Sequence, residues 1–249
     1  MPLPYKAVLL GLDPKITEFP CVMSLTRSDL ESRRLQQLIL QSGGGVNFLS
    51  EAQLQESMRQ TLGQLEPSSD VWIFAYGSLI WNPIFRFAEQ RVGTIYGWHR
   101  RFCMWVPRGR GTPENPGLVL GLDYGGSCRG IVYRIAAHDV PSELLLLWRR
   151  EMVVGSYIPR WVRVFDGTQK LDAIAFIINR HHRAYTGKIS LETTVKSIAT
   201  ATGELGSCAD YLLQTINGLM AAGIQDKLLL RLHKRVLALQ HGRANPGQQ

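Results

Sequence analysis

One stretch of this chain decides its fold: residues 71–83 read Val71-Trp72-Ile73-Phe74-Ala75-Tyr76-Gly77-Ser78-Leu79-Ile80-Trp81-Asn82-Pro83. The first five residues have the length and the β-branched and aromatic content of a buried strand. Gly77 lets the backbone turn or approach another group closely. A strand that ends at Gly-Ser leaves main-chain N–H groups without ladder partners, and such groups can bind a carboxylate or an oxyanion. The stretch therefore predicts a strand followed by a ligand-binding loop or by an ordinary turn.

The composition is that of a globular protein. Of the 249 residues, 45% are hydrophobic and 19% are charged, and the formal net charge is +8. The length fits one large domain, or one domain with an appendage. A positive charge can attract small anions or a polyanion, but the chain has no run of five or more Lys and Arg residues. We therefore favour a small-molecule partner over nucleic acid, and the sequence leaves the oligomeric state open.

The cysteines and the apolar runs bear on where the protein acts. Cys21, Cys103, Cys128 and Cys208 lie far apart and form neither C-x-x-C nor a zinc-like spacing. We therefore expect reduced thiols and a cytoplasmic location. The apolar run at 7–10 is too short for a signal sequence or a membrane span, and no later run approaches eighteen apolar residues, so no membrane partner is expected.

Residues 1–70 are predicted to form a helical N-terminal extension. Two capping-box patterns, Ser28-x-x-Glu31 and Ser50-x-x-Gln53, each open a stretch of helical spacing. The spaced apolar residues are Leu30, Leu35 and Leu38 in the first helix and Leu54, Met58 and Leu62 in the second. A Gly-Gly-Gly sequence at 43–45 separates the two helices. Because no group of chemically reactive side chains stands out in the extension, we interpret it as a packing or partner-binding appendage.

After residue 70 the pattern changes to short strands separated by many glycines, which suits the sharp bends of a small barrel or a coiled sheet. The predicted strands are 71–76, 92–106, 118–123, 130–135, 160–166 and 171–178. A helix is predicted from the N-cap Asp139 to about Met152. The remaining predicted helices run from Ser190 to Thr202, from Ser207 to near Gly223 and over 228–239, and residues 241–249 are expected to form a frayed tail.

Glu151 is the carboxylate with the most unusual predicted environment. It lies at the C-terminal end of a helix whose Leu-rich face must be buried. The negative end of the helix dipole and apolar neighbours both disfavour the carboxylate anion, and a raised pKa suits general acid/base chemistry near neutral pH. Arg149 and Arg150 would oppose that shift if they pointed at Glu151. The alternative interpretation is a solvated glutamate at a helix end.

The sequence predicts no metal or cofactor. His181 and His182 are adjacent, so they cannot bind one ion as a pair four residues apart on a helix would. We interpret them as surface residues at the end of a strand. No P-loop and no G-x-G-x-x-G pattern follows a predicted strand.

Five segments together resemble one family, the ChaC-like, glutathione-specific gamma-glutamylcyclotransferases. They occur in the family's order and cover about 71–215. The segments are residues 71–81, Arg110-Gly111-Thr112 with Pro116-Gly117, Gly130-Ile131-Val132-Tyr133-Arg134, Arg150-Glu151-x-x-x-Gly155-x-Tyr157 and Gly203-x-x-Gly206-x-x-x-x-Tyr211-Leu212. Many family members carry Asn where this chain has Cys208, and the departure puts a hydrogen bond from that side chain in question.

The resemblance implies an α+β fold: a small mixed β-barrel flanked by helices, with the catalytic domain at 71–240. It implies cleavage of glutathione to 5-oxoproline and cysteinyl-glycine, with Glu151 as general acid/base. The γ-glutamyl end of the substrate is expected on the loop 73–78, which comprises Ile73, Phe74, Ala75, Tyr76, Gly77 and Ser78, and Tyr211 is expected to line the site. The alternatives are the same fold acting on other γ-glutamyl compounds, or a non-catalytic binding or regulatory module.

Overall fold

The computed structural model describes residues 25–41, 47–63, 65–66 and 68–244. Several predicted features lie outside the described residues: the apolar run at 7–10, Cys21, the glycines at 43–45 and residues 245–249. The side chain of Leu38 is likewise outside the description.

Five strands close into a mixed barrel with the order β1-β3-β2-β4-β5. Neighbouring strands in this order are antiparallel, whereas β5 runs parallel to β1 and to β3 where the barrel closes. The small mixed barrel predicted from the sequence is thus confirmed. The strands are β1 (Val71–Ala75), β2 (Glu89–Val106), β3 (Gly117–Ile135), β4 (Tyr157–Phe165) and β5 (Lys170–Ile178).

Helices surround the barrel, as the α+β prediction requires. The helices are α1 (Arg27–Glu31), α2 (Arg34–Gln41), α3 (Glu51–Leu62), α4 (Val140–Glu151), α5 (Leu191–Thr200), α6 (Cys208–Ala221) and α7 (Lys227–Ala244). A 3-10 turn (Ser78–Ile80) follows β1, and the two-residue strands β6 (Thr202–Gly203) and β7 (Gly206–Ser207) precede α6. In the part of the chain that the structure describes, none of these helices has both the length and the apolar character needed to cross a bilayer.

The predicted strands 118–123 and 130–135 are wrong as separate elements, because both belong to β3. That strand pairs with β2 along nearly its whole length, including the stretch between the two predicted strands. Gly125 and Gly126 have φ of 99° and 68°, and the register shifts between Tyr96 and Trp98 opposite them. The glycines therefore bend one long hairpin and do not end a strand.

The first predicted helix is also corrected. Its capping box is formed by Thr26 and Asp29, whereas the sequence pattern had indicated Ser28 and Glu31. The helix ends after five residues, and Arg33, with φ of 59°, separates α1 from α2. The second capping box, Ser50 with Gln53, is confirmed at the start of α3.

The C-terminal helices differ from their predicted bounds at their ends. Helix α5 ends at Thr200, because Thr202 pairs with Ser207 in the β6–β7 ladder. The predicted tail at 241–249 is partly wrong, since α7 continues to Ala244.

Helices α3 and α4 pack together on the barrel and fix the position of the α4 C-terminus. The fully buried ring of Trp148 contacts Phe176 of β5, with centroids 5.1 Å apart. The indole N–H of Trp148 donates to Ser57 Oγ of α3 at 3.1 Å. Arg149 forms an ion pair with Glu51 at the start of α3, with a closest N–O distance of 2.6 Å. These contacts determine where the last residue of α4, Glu151, lies.

Candidate active site

A cavity of about 230 Å³ lies beside the turn that follows β1. Three of the residues predicted for the site, Ser78, Glu151 and Tyr211, line it together. They come from the 3-10 turn, the end of α4 and the first turns of α6, so the closed barrel and its helices bring together residues that are far apart in sequence.

Glu151 lies in the wall of this cavity, and one of its carboxylate oxygens accepts no hydrogen bond from the described residues. Its side chain is only 12% exposed, and Oε1 is buried without a hydrogen-bond partner among the described residues. The nearest cation is Arg150, whose Nε lies 3.1 Å from Glu151 Oε1 in an ion pair that is not aligned as a hydrogen bond. Burial raises the pKa of Glu151 above its usual range, and the charge of Arg150 opposes that shift only in part.

Arg150 fastens the end of α4 to the turn after β1. Its guanidinium donates to the main-chain oxygen of Asn82 at 2.6 Å and to Ser78 Oγ at 2.9 Å. The side chain is 7% exposed, and burial lowers its pKa while the charge of Glu151 opposes the shift. The arginine therefore positions the carboxylate next to the turn and supplies a fixed positive charge.

Three buried tyrosines surround the carboxylate. Tyr76 donates to the main-chain oxygen of Phe176 at 2.7 Å, and Tyr157 donates to that of Leu120 at 2.8 Å. Burial raises the pKa of both phenols well above the usual value, and it raises the pKa of Tyr211 to about 12. All three side chains are therefore neutral near pH 7 and can act there only as hydrogen-bonding groups.

The turn after β1 presents main-chain donors. Within the described residues, the N–H groups of Gly77 and Ser78 donate to no other group. A Cβ atom built on Gly77 would lie 3.0 Å from the hydroxyl oxygen of Tyr211, which is too close for an unstrained contact. Glycine at this position therefore lets the turn and Tyr211 approach each other.

Arg110 lies against the aromatic ring of Tyr211 and also lines the cavity. The guanidinium carbon lies 5.1 Å from the centroid of the Tyr211 ring and 5.7 Å from that of Trp81. Burial lowers the pKa of Arg110, and the group donates to the main-chain oxygen of Ser207 at 3.0 Å.

Cys208, the departure from the family pattern, is fully buried beneath Arg110 and does not line the cavity. Its sulfur accepts from the N–H of Leu118 at 3.2 Å and lies 3.2 Å from the main-chain oxygen of Arg110, to which the thiol can donate. Burial raises the pKa of the thiol to about 11, so the thiol is neutral near pH 7. The Cys208 side chain therefore forms hydrogen bonds with the main chain of Leu118 and Arg110.

The other predicted site residues lie behind the cavity wall. Ile73, Phe74 and Ala75 are fully buried and pair with residues 131–133 of β3, and the structure does not bring their side chains to the cavity. Tyr76 and Gly77 connect this strand to Ser78. Three predicted residues therefore lie together at the cavity: Ser78, Glu151 and Tyr211. Gly77 lies against Tyr211, and strand β1 supports the turn.

The two histidines lie on a second cavity, adjacent to the first. This outer cavity has a volume of about 750 Å³, and His181 and His182 line it. His181 is exposed, as predicted, whereas His182 is half-buried and its Nδ1 accepts from the N–H of Ala184. Among the described residues no cluster of three or more His, Cys, Asp or Glu side chains could hold a metal ion.

The first cavity, which Glu151 lines, is the inner cavity. The sequence analysis missed most of the residues that line it, among them Trp81, Arg108, Arg110 and Tyr157. The segments that carry the family resemblance contain Trp81, Arg110 and Tyr157, but the sequence analysis assigned no role to these three residues. Arg108 lies outside those segments, and only the folded chain shows that it faces the cavity.

Comparisons with known proteins find a matching family, similar sequences and a similar fold. The family model described as ChaC-like protein matches residues 71–239. A glutathione-specific gamma-glutamylcyclotransferase of Escherichia coli K12 is 40% identical over 171 residues, which cover 68% of this chain and 74% of the relative. The human glutathione-specific gamma-glutamylcyclotransferase 1 is 32% identical over 160 residues, covering 62% and 72%. A yeast gamma-glutamyl cyclotransferase specific to glutathione shares the fold, with a TM-score of 0.63 at 23% identity over 70% of this chain and 98% of that one.

Proposed function

Because the chain belongs to the ChaC-like protein family, we propose that it is a glutathione-specific gamma-glutamylcyclotransferase. It cleaves glutathione into 5-oxoproline and cysteinyl-glycine. The observation that carries this proposal is the carboxylate of Glu151, whose buried Oε1 accepts no hydrogen bond from the described residues. Glu151 lines one cavity with Ser78 of the turn after β1. The catalytic unit is the domain at 71–240, and residues 1–70 are an extension of it.

The reaction requires a proton to leave and then to return. The α-amine of the substrate attacks its own γ-carbonyl carbon, a new C–N bond closes the five-membered ring, and the bond to the cysteine nitrogen breaks. Glu151 takes the proton that the attacking amine loses and gives it to the departing amine. A carboxyl group whose pKa is raised by burial serves both steps better than an ordinary glutamate does, because its pKa lies nearer to neutral pH.

Arg150 adjusts this proton transfer. A glutamate that remained protonated could not accept a proton, and the adjacent guanidinium favours the ionised form. Burial and the arginine act in opposite directions on the pKa of Glu151, and burial has the larger effect.

The turn after β1 binds the γ-glutamyl end. The N–H groups of Gly77 and Ser78 bind the α-carboxylate of the substrate or the oxyanion that forms at the γ-carbonyl. The strand residues Ile73, Phe74 and Ala75 hold Tyr76 and the turn in place, and Tyr211 closes the site beside Gly77. Holding the amine next to the carbonyl removes much of the entropic cost of ring closure.

The expected partner is the small peptide itself, in the cytoplasm. Cys103, Cys128 and Cys208 are free, buried thiols, as in proteins of a reducing compartment. The net charge of +8 favours the approach of an anionic peptide. Neither a nucleic acid nor a membrane is part of the proposal.

Incubation of the purified chain with glutathione tests the function. We expect stoichiometric 5-oxoproline and cysteinyl-glycine, detected by mass spectrometry. A parallel incubation with γ-glutamyl-amino acids separates a glutathione enzyme from one that acts on other γ-glutamyl compounds. Absence of 5-oxoproline from every substrate would refute the proposal in favour of a binding or regulatory module.

A further inference from the structure

The inner and outer cavities adjoin across shared side chains. Both are lined by Ile39, Met104, Val106, Arg108, Val154 and Ser156. Glu151 lines only the inner cavity, whereas Arg183 and the two histidines line only the outer one. A molecule bound at Glu151 can therefore extend past Ile39 and Arg108 toward the outer cavity.

The inner cavity is small for a whole tripeptide. Its volume is about 230 Å³, below the range of about 300–1,000 Å³ typical of small-molecule sites. The six shared side chains line the region between the two cavities, which is called the passage. With the γ-glutamyl end at Glu151, the cysteinyl-glycine half reaches this passage.

Arg108 stands in this passage without a partner. Its Nη1 is buried and forms no hydrogen bond with any described residue, and no ion pair joins Arg108 to a carboxylate in the described chain. Among the described residues, Arg183 and no Asp or Glu line the outer cavity, whereas Glu151 and Glu204 line the inner one. A buried arginine nitrogen without a partner is costly, and a carboxylate is the group that its planar fork binds best.

The opposite wall of the passage comes from the N-terminal extension. Leu25, Leu35 and Ile39 of this extension line the inner cavity. The wall is fastened at two points: Asn82 donates to the main-chain oxygen of Leu25 at 2.9 Å, and Arg27 donates to the fully buried Glu143 at 2.6 and 3.0 Å. These contacts fasten the start of α1, and Leu35 of α2 packs in one buried cluster with Leu146 and Val153.

We propose that Arg108 and Ile39 form the subsite for the cysteinyl-glycine half of the substrate, with Arg108 binding the glycine carboxylate. This inference rests on the proposed function. Residues 25–39 of the extension are then part of the active site, and they determine substrate specificity in addition to packing on the barrel.

The test of Arg108 compares glutathione with its glycine amide, which has the same shape and lacks the terminal negative charge. In the unmodified enzyme, the amide loses about 10- to 100-fold in kcat/KM, because a charge-assisted hydrogen bond is lost. Arg108→Gln raises KM for glutathione by a similar factor and no longer distinguishes the two substrates, whereas Arg108→Lys restores part of the preference. Arg163→Gln, at an exposed arginine that lines neither cavity, leaves the preference unchanged.

The test of the extension compares two residues of α2. Ile39→Ser raises KM for glutathione by about 10-fold, with little change in kcat, because Ile39 contacts the part of the substrate away from the reacting atoms. Leu40→Ser is the matched control, since Leu40 is 57% exposed and lines neither cavity. Equal effects of the two substitutions would overturn the role of α2.

Two results separate failure of the subsite from failure of the function. An enzyme that converts glutathione and its amide equally well, before and after Arg108→Gln, would overturn the subsite while the proposed function stands. An unmodified chain that forms no 5-oxoproline from glutathione would overturn both. Far-UV circular dichroism and thermal melting of each variant establish that the KM changes are not changes in folding.

Discussion

Two carboxylates on one helix have opposite environments. Glu143 lies in the first turn of α4 and Glu151 is its last residue. Glu143 is completely buried and accepts four hydrogen bonds, two from the Arg27 guanidinium and two from the main-chain N–H and side chain of Arg86. Glu151 is largely buried too, with a side chain that is 12% exposed, but its Oε1 accepts no hydrogen bond from any described residue.

The pKa values of the two groups differ accordingly. Burial opposes ionisation of Glu143, but the hydrogen bonds from Arg27 and Arg86 outweigh it and hold the pKa below the usual range. Burial raises the pKa of Glu151, and Arg150 offsets this only in part. The positive end of the helix dipole stabilises the first anion, and the negative end destabilises the second. The number of hydrogen bonds that a carboxylate accepts, and not its burial alone, therefore separates a structural carboxylate from one available for proton transfer.

The largest effect is expected from Glu151→Gln. The amide cannot take a proton from the attacking amine, so kcat should fall by about 100- to 10,000-fold while the fold is retained. Rates of 5-oxoproline formation measure the change, and a circular dichroism spectrum matching that of the unmodified protein is the control. Turnover within a few-fold of the unmodified enzyme would remove Glu151 from the mechanism.

Glu143→Gln should lower the stability of the protein and leave its activity nearly unchanged. It weakens the hydrogen bonds from two arginines that are themselves partly exposed, and we expect a loss of about 1–3 kcal/mol in the free energy of unfolding with kcat nearly unchanged. Urea unfolding measures the loss. Because the pKa of Glu143 is lowered in the folded state, its stabilisation is present above the pKa of the unfolded chain and is lost as the pH falls through the folded pKa. The two proteins should therefore converge in stability in acid, and a difference that persists there would contradict the ionised network.

Arg150→Gln removes the positive charge that opposes the raised pKa of Glu151. The acid limb of the pH profile of kcat/KM should move to higher pH by about one to three units. Arg163→Gln is the matched control, since this exposed arginine pairs with Asp172 at 2.6 Å and lines neither cavity. An identical acid limb in the Arg150 variant would show that the ion pair does not set the pKa of Glu151.

Gly77→Ala should have the smallest effect. The added methyl group lies 3.0 Å from the hydroxyl oxygen of Tyr211, so Tyr211 or the turn must shift by a few tenths of an ångström. We expect KM for glutathione to rise by about threefold to tenfold and Gly77→Val to raise it further. Unchanged KM values for both variants would argue against close contact between the turn and the substrate.

The sequence predicts the local parts of this site well. Strand β1 and the turn after it follow from an apolar run that ends at Gly-Ser. The position of Glu151 follows from a Leu-rich helix between Asp139 and Gly155. These features depend on near neighbours in the chain, which propensity and turn chemistry describe.

The missed features depend on distant contacts. The hydrogen bonds of Glu143 come from Arg27, 116 residues away, and from Arg86, 57 residues away. The passage between Ile39 and Arg108 exists only because the extension packs over the barrel. The single long β3 was missed because Gly125 and Gly126 resemble a strand end, whereas pairing with β2 resumes on both sides of them. In each case tertiary structure outweighs the local pattern.

The most direct measurement is the titration of both carboxylates in one sample, by ¹³C NMR of protein labelled at the glutamate side-chain carboxyl carbons. Substitution of Glu143 and of Glu151 by Gln assigns the two signals. Glu151 should titrate above the usual glutamate range and Glu143 below it, and the acid limb of kcat/KM should coincide with the pKa of Glu151. A Glu151 that titrates at or below the usual value, or an acid limb that does not follow it, would contradict its role as the proton carrier.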